Sequence, residues 1–473
     1  MSPDHHRRSR EGARQQTRVQ PARQVAFDVI SAVRESDAYA NLLLPTRISR
    51  AGLSPADAGL ATELTYGTLR MQGYYDKVIA RAAGRPVERI DAPILDVLRL
   101  GAHQLLSTRV APHAAVNESV ALARSVGSQS ATGFTNGVLR EIGRHSPEEW
   151  RMRILSDAKN ENEELASVTS HPAWIVRAFR RALEAEGRGD ELQRLLEADN
   201  EAPRVNMIAL PGLAEAPEES TPDRYSPLGF TTAGGDPLRL MDATNGRLRV
   251  QDEGSQLAAL ALSRARPVQQ GERWLDLCAG PGGKAALLAA EAIERGATLV
   301  ANELVPARAD LVRRALSAVP AEVDVWERDG TTIGASDPES FDRILLDAPC
   351  TGLGALRRRP EARWRKTPRD VAELTELQAR LLDSAIDALK PGGLLAYVTC
   401  SPHIAETRAI VAGALERHRD AIEPVETTSV VQSFAADRLD LAGDPNQVQL
   451  WPHRHNTDAM FIALLAKNGS AEK

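Results

Sequence analysis

The sequence predicts a multidomain protein: an N-terminal all-α bundle, a small α+β adaptor, and a C-terminal α/β Rossmann-like domain with a doubly wound, mainly parallel sheet. Three observations carry this expectation. The chain has 473 residues, and at about 150 residues per domain it has room for about three domains. Helical periodicity runs through the first third. From about residue 247 short apolar runs alternate with helices, the pattern of parallel strands joined by helical crossovers.

Taken in order, residues 1–21 carry Arg7, Arg8, Arg10, Arg14 and Arg18 without an apolar stretch of signal-peptide length, and read as a disordered basic arm. Residues 22–146 read as the helical domain. Val25, Val29 and Val33 repeat at i, i+4, i+8; Ser54 before Pro55 is a helix start; Asp91 and Pro93 open a helix whose Ile94, Leu98, Ala102 and Leu105 share a face. Residues 147–246 begin with helices at 174–186 and 190–199, lose helical period at 203–207, and pass through an acidic, proline-bearing surface loop at 211–222; this is the expected adaptor. In residues 247–468 the segments 274–278, 298–303, 323–329, 341–347 and 394–400 are strand candidates, with helices between them.

Hydrophobic residues make up 42% and charged residues 26%, an ordinary globular mixture. Lys+Arg total 58 against Asp+Glu 64, net −6, which argues against nucleic-acid binding through bulk positive charge. The distribution says otherwise: residues 7–23 are net +5, and residues 357–369 are net +6, with Trp364 among them available to stack on a base. Phosphate contact is therefore expected along Arg357, Arg358, Arg359, Arg363, Arg365, Lys366 and Arg369. Three cysteines spaced 72 and 50 residues apart match neither a disulfide framework nor a zinc pattern, so a reducing cytoplasm is expected. No apolar run reaches the ~18 residues of a membrane span. His453 and His455 lack companions at metal spacing, and no metal is expected. The chain is expected to be a monomer.

The segment Asp276-Leu277-Cys278-Ala279-Gly280-Pro281-Gly282-Gly283-Lys284 stands between a strand and a helix, where backbone amides can receive a ligand. A P-loop needs glycine at 278 and serine or threonine at 285; the dinucleotide fingerprint needs glycine at 285. The chain has Cys278 and Ala285, so both phosphate-binding patterns fail. A nucleoside ligand without phosphate remains, and S-adenosylmethionine fits. Glu303, 27 residues after Asp276, stands where an acid holds ribose hydroxyls, and Asp329 and Asp347 end two further strands. The plain alternative is a tight turn with a surface glutamate; those two further acids count against it.

Cys278, Cys350 and Cys400 all fall at C-terminal strand ends, the ligand-binding edge of an open parallel sheet. Their context is Asp347-Ala348-Pro349-Cys350 and Thr399-Cys400-Ser401-Pro402. With these two motifs the chain resembles the Sun/Fmu-type RNA cytosine carbon-5 methyltransferases, whose cofactor turn resembles residues 276–284 and whose preceding region resembles Gln251-Asp252-Glu253-Gly254-Ser255-Gln256. The resemblance implies a thiolate that adds to carbon 6 of cytosine, so that carbon 5 can attack the methyl group of S-adenosylmethionine. It implies Cys400 as nucleophile, Cys350 assisting release of the product, Asp347 bonding the amidine edge of the base, and Lys284 orienting base or backbone. DNA cytosine methyltransferases use the Pro-Cys cysteine as nucleophile, so the two roles stay open between Cys350 and Cys400.

Residues 22–145, including Asn136-Gly137-Val138-Leu139-Arg140, resemble the NusB-like RNA-binding domain. Ser170-His171-Pro172-Ala173-Trp174 and Asn206 resemble the adaptor of the family's small-subunit ribosomal RNA branch, as do Gln449-Leu450-Trp451-Pro452-His453, Asp458 and Phe461 at the C-terminal end. The implied activity is formation of 5-methylcytidine in small-subunit (16S) rRNA. The alternatives are a transfer RNA methyltransferase of the same chemistry and a catalytically inactive RNA-binding ribosome-assembly factor. One departure is Asn302, which precedes Glu303 where an apolar residue is usual.

Overall fold

The computed structural model describes residues 19–36, 38–234 and 236–469, so residues 1–18 of the expected basic arm lie outside it. The chain divides into two compact units: one runs up to Val176 and includes Arg357–Arg365, and the other comprises Arg177–Leu356 and the chain from Lys366 onward.

The first unit is helical. Pro21–Glu35, Ala40–Ala51, Pro55–Arg70, Gln72–Ala83, Ala92–Ser107, Pro112–Val126 and Gln129–Ile142 form its main helices. Their boundaries follow local chemistry. Ser54 Oγ accepts the Asp57 amide at 3.2 Å ahead of Pro55, whose fixed φ suits the first helical position. The apolar stripes are inside: Val25, Val29, Val33, Ile94, Leu98 and Ala102 are all buried in one core. Residues 147–176, expected in the adaptor, group with this unit. Trp150, on helix Pro147–Leu155, joins the same core and its indole donates to the Ile142 carbonyl at 2.9 Å.

The basic run that follows the Pro-Cys motif also belongs to this unit, and here the structure corrects the phosphate-contact expectation. Arg357 and Arg363 are buried, and Glu361 is buried between them in sequence. Arg363 donates to the carbonyls of Arg70 at 2.9 Å and Ser170 at 3.3 Å; Arg365 donates to those of Val33 at 2.6 Å and Ala38 at 2.7 Å. Arg70 and Val33 lie in the last turns of helices Pro55–Arg70 and Pro21–Glu35. Those turns leave carbonyls without intrahelical partners, and a guanidinium there satisfies them and complements the helix dipole. Glu361 accepts the Ala40 amide at 3.1 Å, at the start of another helix. Trp364 lies against the bare backbone of Gly73, where a Cβ would come within 2.3 Å of the ring. Residues 357–365 are thus largely a structural plug, with Arg359 and Trp364 left exposed; Arg369, in the second unit, is exposed as well. Arg363→Ala is expected to destabilise the helical unit by about 2–4 kcal/mol, because it strands buried carbonyls. Chemical denaturation followed by circular dichroism measures this; a loss under about 0.5 kcal/mol, the size typical of surface sites, would restore the surface reading.

The second unit holds two sheets. In the first, strands β1 (Asn206–Ala209), β2 (Thr221–Pro222), β3 (Gly229–Thr231) and β4 (Leu248–Val250) pair antiparallel in the order β2-β3-β1-β4. Met207, Ala209, Phe230 and Leu248 form its small core.

The second sheet contains β5 (Arg273–Asp276), β6 (Thr298–Asn302), β7 (Asp324–Trp326), β8 (Phe341–Asp347), β9 (Leu389–Thr399), β10 (Ile422–Pro424), β11 (Gln447–Gln449) and β12 (Phe461–Lys467). The order is β10-β12-β9-β8-β5-β6-β7, with β11 on β12. The strands β5 to β9 pair in parallel, whereas β10, β11 and β12 add antiparallel pairings. All five strand candidates are strands. Their near-continuous apolar runs are what a sheet covered on both faces requires; helices Glu253–Ser263 and Gly283–Glu294 supply much of that cover, buried along most of their lengths. From β5 the chain winds outward to β6 and β7 and then returns to β8 on the other side. That reversal opens a crevice at the C-terminal strand ends, the ligand position in such sheets.

Candidate active site at the strand edge

The glycine-rich turn leaves β5 at Asp276. The Ala279 amide donates to the Asn302 carbonyl at 2.8 Å and the Gly282 amide to the Ala279 carbonyl at 2.7 Å. Gly282, at φ +104°, then caps helix Gly283–Glu294 in a conformation that suits glycine. Asn302 explains its own departure from the apolar pattern. Its Nδ2 donates to the carbonyls of Leu277 and Arg328, each at 3.1 Å, and its Oδ1 accepts the Arg328 amide at 3.1 Å. One buried amide therefore ties together the loops after β5, β6 and β7.

Glu303 is buried beside this turn. Its Oε1 accepts the Val305 amide at 3.0 Å, while Oε2 lies 3.4 Å from the Arg308 guanidinium, which also donates to the Gly280 carbonyl at 2.8 Å. A Cβ on Gly280 would come within 2.1 Å of Glu303 Oε2, so a bare backbone is required there. This glycine-lined cradle and its acid suit a nucleoside, and no basic cluster of phosphate-binding type accompanies them in the turn. Asp329 Oδ1 accepts the amide and hydroxyl of Thr331 at 2.9 and 2.8 Å, bonds that hold its carboxyl below the ordinary range. Cys278 packs against the core, and burial, then the charges of Asp276, Asp347 and Glu303, push its thiol far up.

Asp276 is fully buried, and a bond to the Cys278 backbone only weakly favours its charged form. Burial first, then the Asp347 charge, raise its pKa to about 8, against the opposing pull of Lys284. The folded state therefore holds this proton where the unfolded chain has lost it, and the linked stability falls as pH rises between about 4 and 8. Asp276→Asn is expected to remove that slope. The variant should match the wild type near pH 4 and exceed it by a few kcal/mol near pH 9, since each tenfold difference in proton affinity between folded and unfolded states is worth about 1.4 kcal/mol. Thermal melts across pH check this, and parallel wild-type and variant profiles would contradict it.

The two cysteine motifs converge. β8 ends at Asp347 and β9 at Thr399, neighbours paired in parallel, so their C-terminal extensions place Cys350 and Cys400 side by side with Sγ–Sγ 3.4 Å. The hydrogen bond with Cys400, then burial, then the charges of Cys400 and Glu406, push the Cys350 thiol well above its usual range. Lys284, from the first turn of the helix after the glycine loop, donates to Asp347 Oδ2 at 2.9 Å. Burial opposes its charge, and Asp347 more than offsets that, with Cys400 adding to the attraction, so Lys284 is held as an ammonium. Cys400, Cys350, Asp347 and Lys284 thus form one group, and the cradle of residues 278–284 with Glu303 lies along the same edge.

Sequence reasoning missed Glu406. Completely buried, it accepts the Thr351 amide at 2.7 Å, the Thr351 hydroxyl at 2.5 Å and the Ser401 hydroxyl at 2.6 Å. Gln378 bridges it to the Pro349 carbonyl, at 3.4 and 2.8 Å. The only signal in the sequence is a carboxylate six residues after Cys400. His453 and His455 bond protein groups, Glu191 at 2.8 Å for the first, and the Trp451 amide at 2.9 Å and the Asp440 carbonyl at 3.1 Å for the second.

Comparison with known proteins places this site in a family. The profile of the 16S rRNA methyltransferase RsmB/F family matches residues 265–466, and that of the NusB family matches residues 20–144. The probable ribosomal RNA small subunit methyltransferase B of Bacillus subtilis is 30% identical over 94% of this chain and 99% of its own length. The chain belongs to the RsmB/F methyltransferase family. A putative methyltransferase of Mycobacterium tuberculosis is 47% identical over 95% of this chain and 97% of its own. The crystal structure of PH0851 shares the fold across 95% of this chain and 99% of that one, with a TM-score of 0.76 at 23% identity. An RsmB/F enzyme with a NusB-type helical domain is an S-adenosylmethionine-dependent RNA methyltransferase. No helix among the described residues is long and apolar enough to cross a membrane.

Proposed function

We propose that this RsmB/F enzyme forms 5-methylcytidine in small-subunit (16S) ribosomal RNA, in the cytoplasm, through a covalent bond between Cys400 and carbon 6 of the target cytosine. The observation that carries the reading is the pair of sulfurs 3.4 Å apart beside the Lys284–Asp347 ion pair, at the switch point of the sheet.

S-adenosylmethionine would be held by residues 278–284, with Glu303 on the ribose, Asp329 in the loop after β7 and Asp347 at the end of β8, and would supply an electrophilic methyl group. The chain's own residues supply the rest. The Cys400 thiolate adds to carbon 6, and the electron pair of the carbon 5–carbon 6 double bond is thereby made available at carbon 5. Asp347, fixed by Lys284, bonds the amidine edge of the base and steadies the charge that develops on the ring. After methylation a base takes the carbon-5 proton, the double bond re-forms and the carbon 6–sulfur bond breaks. Cys350 enters here: its sulfur lies 3.4 Å from that of Cys400, close enough for its S–H to donate to the departing thiolate and stabilise it.

The ribosomal substrate rests on the relatives named for small-subunit rRNA and on the NusB-type domain. The test offers the purified protein radiolabelled S-adenosylmethionine with small-subunit rRNA or with transfer RNA, followed by nucleoside mass spectrometry. Label in 5-methylcytidine from rRNA is expected. Label in transfer RNA alone would move the substrate, and donor binding without transfer to any RNA would favour an inactive assembly factor.

A further inference from the structure

We infer that Glu406 is the positioning residue of the cysteine pair, the group that holds Cys350 and Cys400 at their working separation. Neither cysteine is fixed by regular structure. Each lies past a strand end, Cys350 beyond β8 and Cys400 immediately after β9. Besides the Gly354 amide, which donates to the Cys400 carbonyl at 2.9 Å, one buried carboxylate ties the two extensions together. It takes the amide and hydroxyl of Thr351, the residue after Cys350, and the hydroxyl of Ser401, the residue after Cys400. Thr351 and Ser401 are themselves buried, with hydroxyls 3.3 Å apart. Gln378 donates both to Glu406 and to the Pro349 carbonyl, so the residue before Cys350 is held as well. The element carrying Glu406 is anchored in turn: its carbonyl accepts the Tyr397 hydroxyl at 2.8 Å from within β9.

The energetics favour a clamp of this kind. A buried carboxylate accepting several hydrogen bonds is strongly held, and removing it leaves the Thr351 amide and two hydroxyls without their acceptor. Glu406 bonds the residues beside the two cysteines and its charge adds only a lesser push on the Cys350 thiol, so it acts on the reaction chiefly through position. A transfer that needs one thiol to add and the other to assist its departure depends on their spacing, and a 1 Å misplacement costs up to about 10²-fold. The catalytic side of this inference rests on the cytosine reading above, whereas the spacing itself can be measured without RNA or methyl donor.

Phenylarsine oxide is the probe. It bridges two adjacent thiols, forming two arsenic–sulfur bonds while the oxide oxygen leaves as water with the two thiol protons. In the full-length wild type it is expected to protect Cys350 and Cys400 together from iodoacetamide, read by peptide mass spectrometry. Glu406→Ala should weaken that protection by about tenfold or more. Glu406→Gln should stay within about threefold of wild type, since its amide oxygen still accepts the Thr351 amide and the two hydroxyls can turn to accept from its nitrogen. Methyl transfer should follow the same order through kcat, with KM for RNA little changed. Wild-type protection in a folded Glu406→Ala protein, or a glutamine variant as impaired as the alanine one, would overturn the inference. Should the alanine variant fail to fold, the same readout passes to Thr351→Val with Ser401→Ala, where lost protection supports the clamp and wild-type protection refutes it. Normal bridging order with no methylated RNA in any variant, wild type included, would leave the clamp standing and sink the cytosine chemistry.

Discussion

Cys400→Ala is expected to lower methyl transfer by at least about 10³-fold, the scale on which loss of a covalent nucleophile falls, and to abolish any denaturation-resistant complex with RNA. Carbon 5 of cytosine attacks poorly until a nucleophile has added at carbon 6, so no second group can take over the step. Cys350 stands 3.4 Å away, but its contact with Cys400 and its burial push its thiol well above the usual range, which disfavours the thiolate a substitute nucleophile would need. Binding of the methyl donor should be little changed, because the glycine turn and Glu303 are held by bonds to Asn302, Val305 and Arg308 that do not involve Cys400. Gel electrophoresis under denaturing conditions, together with a filter assay for labelled methyl, measures both outcomes. If Cys400→Ala still formed the adduct while Cys350→Ala did not, the two roles would be reversed.

Cys350→Ala is expected to arrest the enzyme one step later. Addition and methylation proceed, but the departing Cys400 sulfur loses the S–H that stabilises it, so the protein–RNA complex accumulates and turnover falls by about 10²-fold or more, in the range of general-acid assistance. The adduct should be visible as a slow-migrating band with unmodified RNA and absent when Cys400 is also replaced. A Cys350→Ala enzyme that turned over at the wild-type rate would remove Cys350 from the reaction.

The parallel sheet and its glycine turn were legible because their chemistry is local. A strand such as β8 announces itself by an uninterrupted apolar run, and the choice of a nucleoside over a phosphate ligand came from two residues, Cys278 and Ala285, inside the turn. The cysteine motifs were legible by order along the chain, and parallel pairing of β8 with β9 turned that order into contact.

Long-range satisfaction of polar groups was not legible. The arginines between 357 and 365 carry the same charge whether they meet phosphates or carbonyls, and only the fold reveals that Arg363 and Arg365 cap helix ends hundreds of residues earlier. Glu406 was hidden for the same reason, since its principal partner, Thr351, lies 55 residues away. Asn302 looked like a departure from an apolar pattern until its three hydrogen bonds to loop backbone were seen. Residues 147–176 read as adaptor by position, and Trp150 shows how a single buried side chain can carry a segment into the neighbouring core.

The most direct measurement is bisulfite mapping of ribosomal RNA from a strain lacking this chain, complemented with wild-type protein or with Cys400→Ala. The account predicts that one 5-methylcytidine in small-subunit rRNA disappears on deletion, returns with the wild type and does not return with Cys400→Ala. An unchanged map in the deletion strain, or restoration by Cys400→Ala, would contradict it.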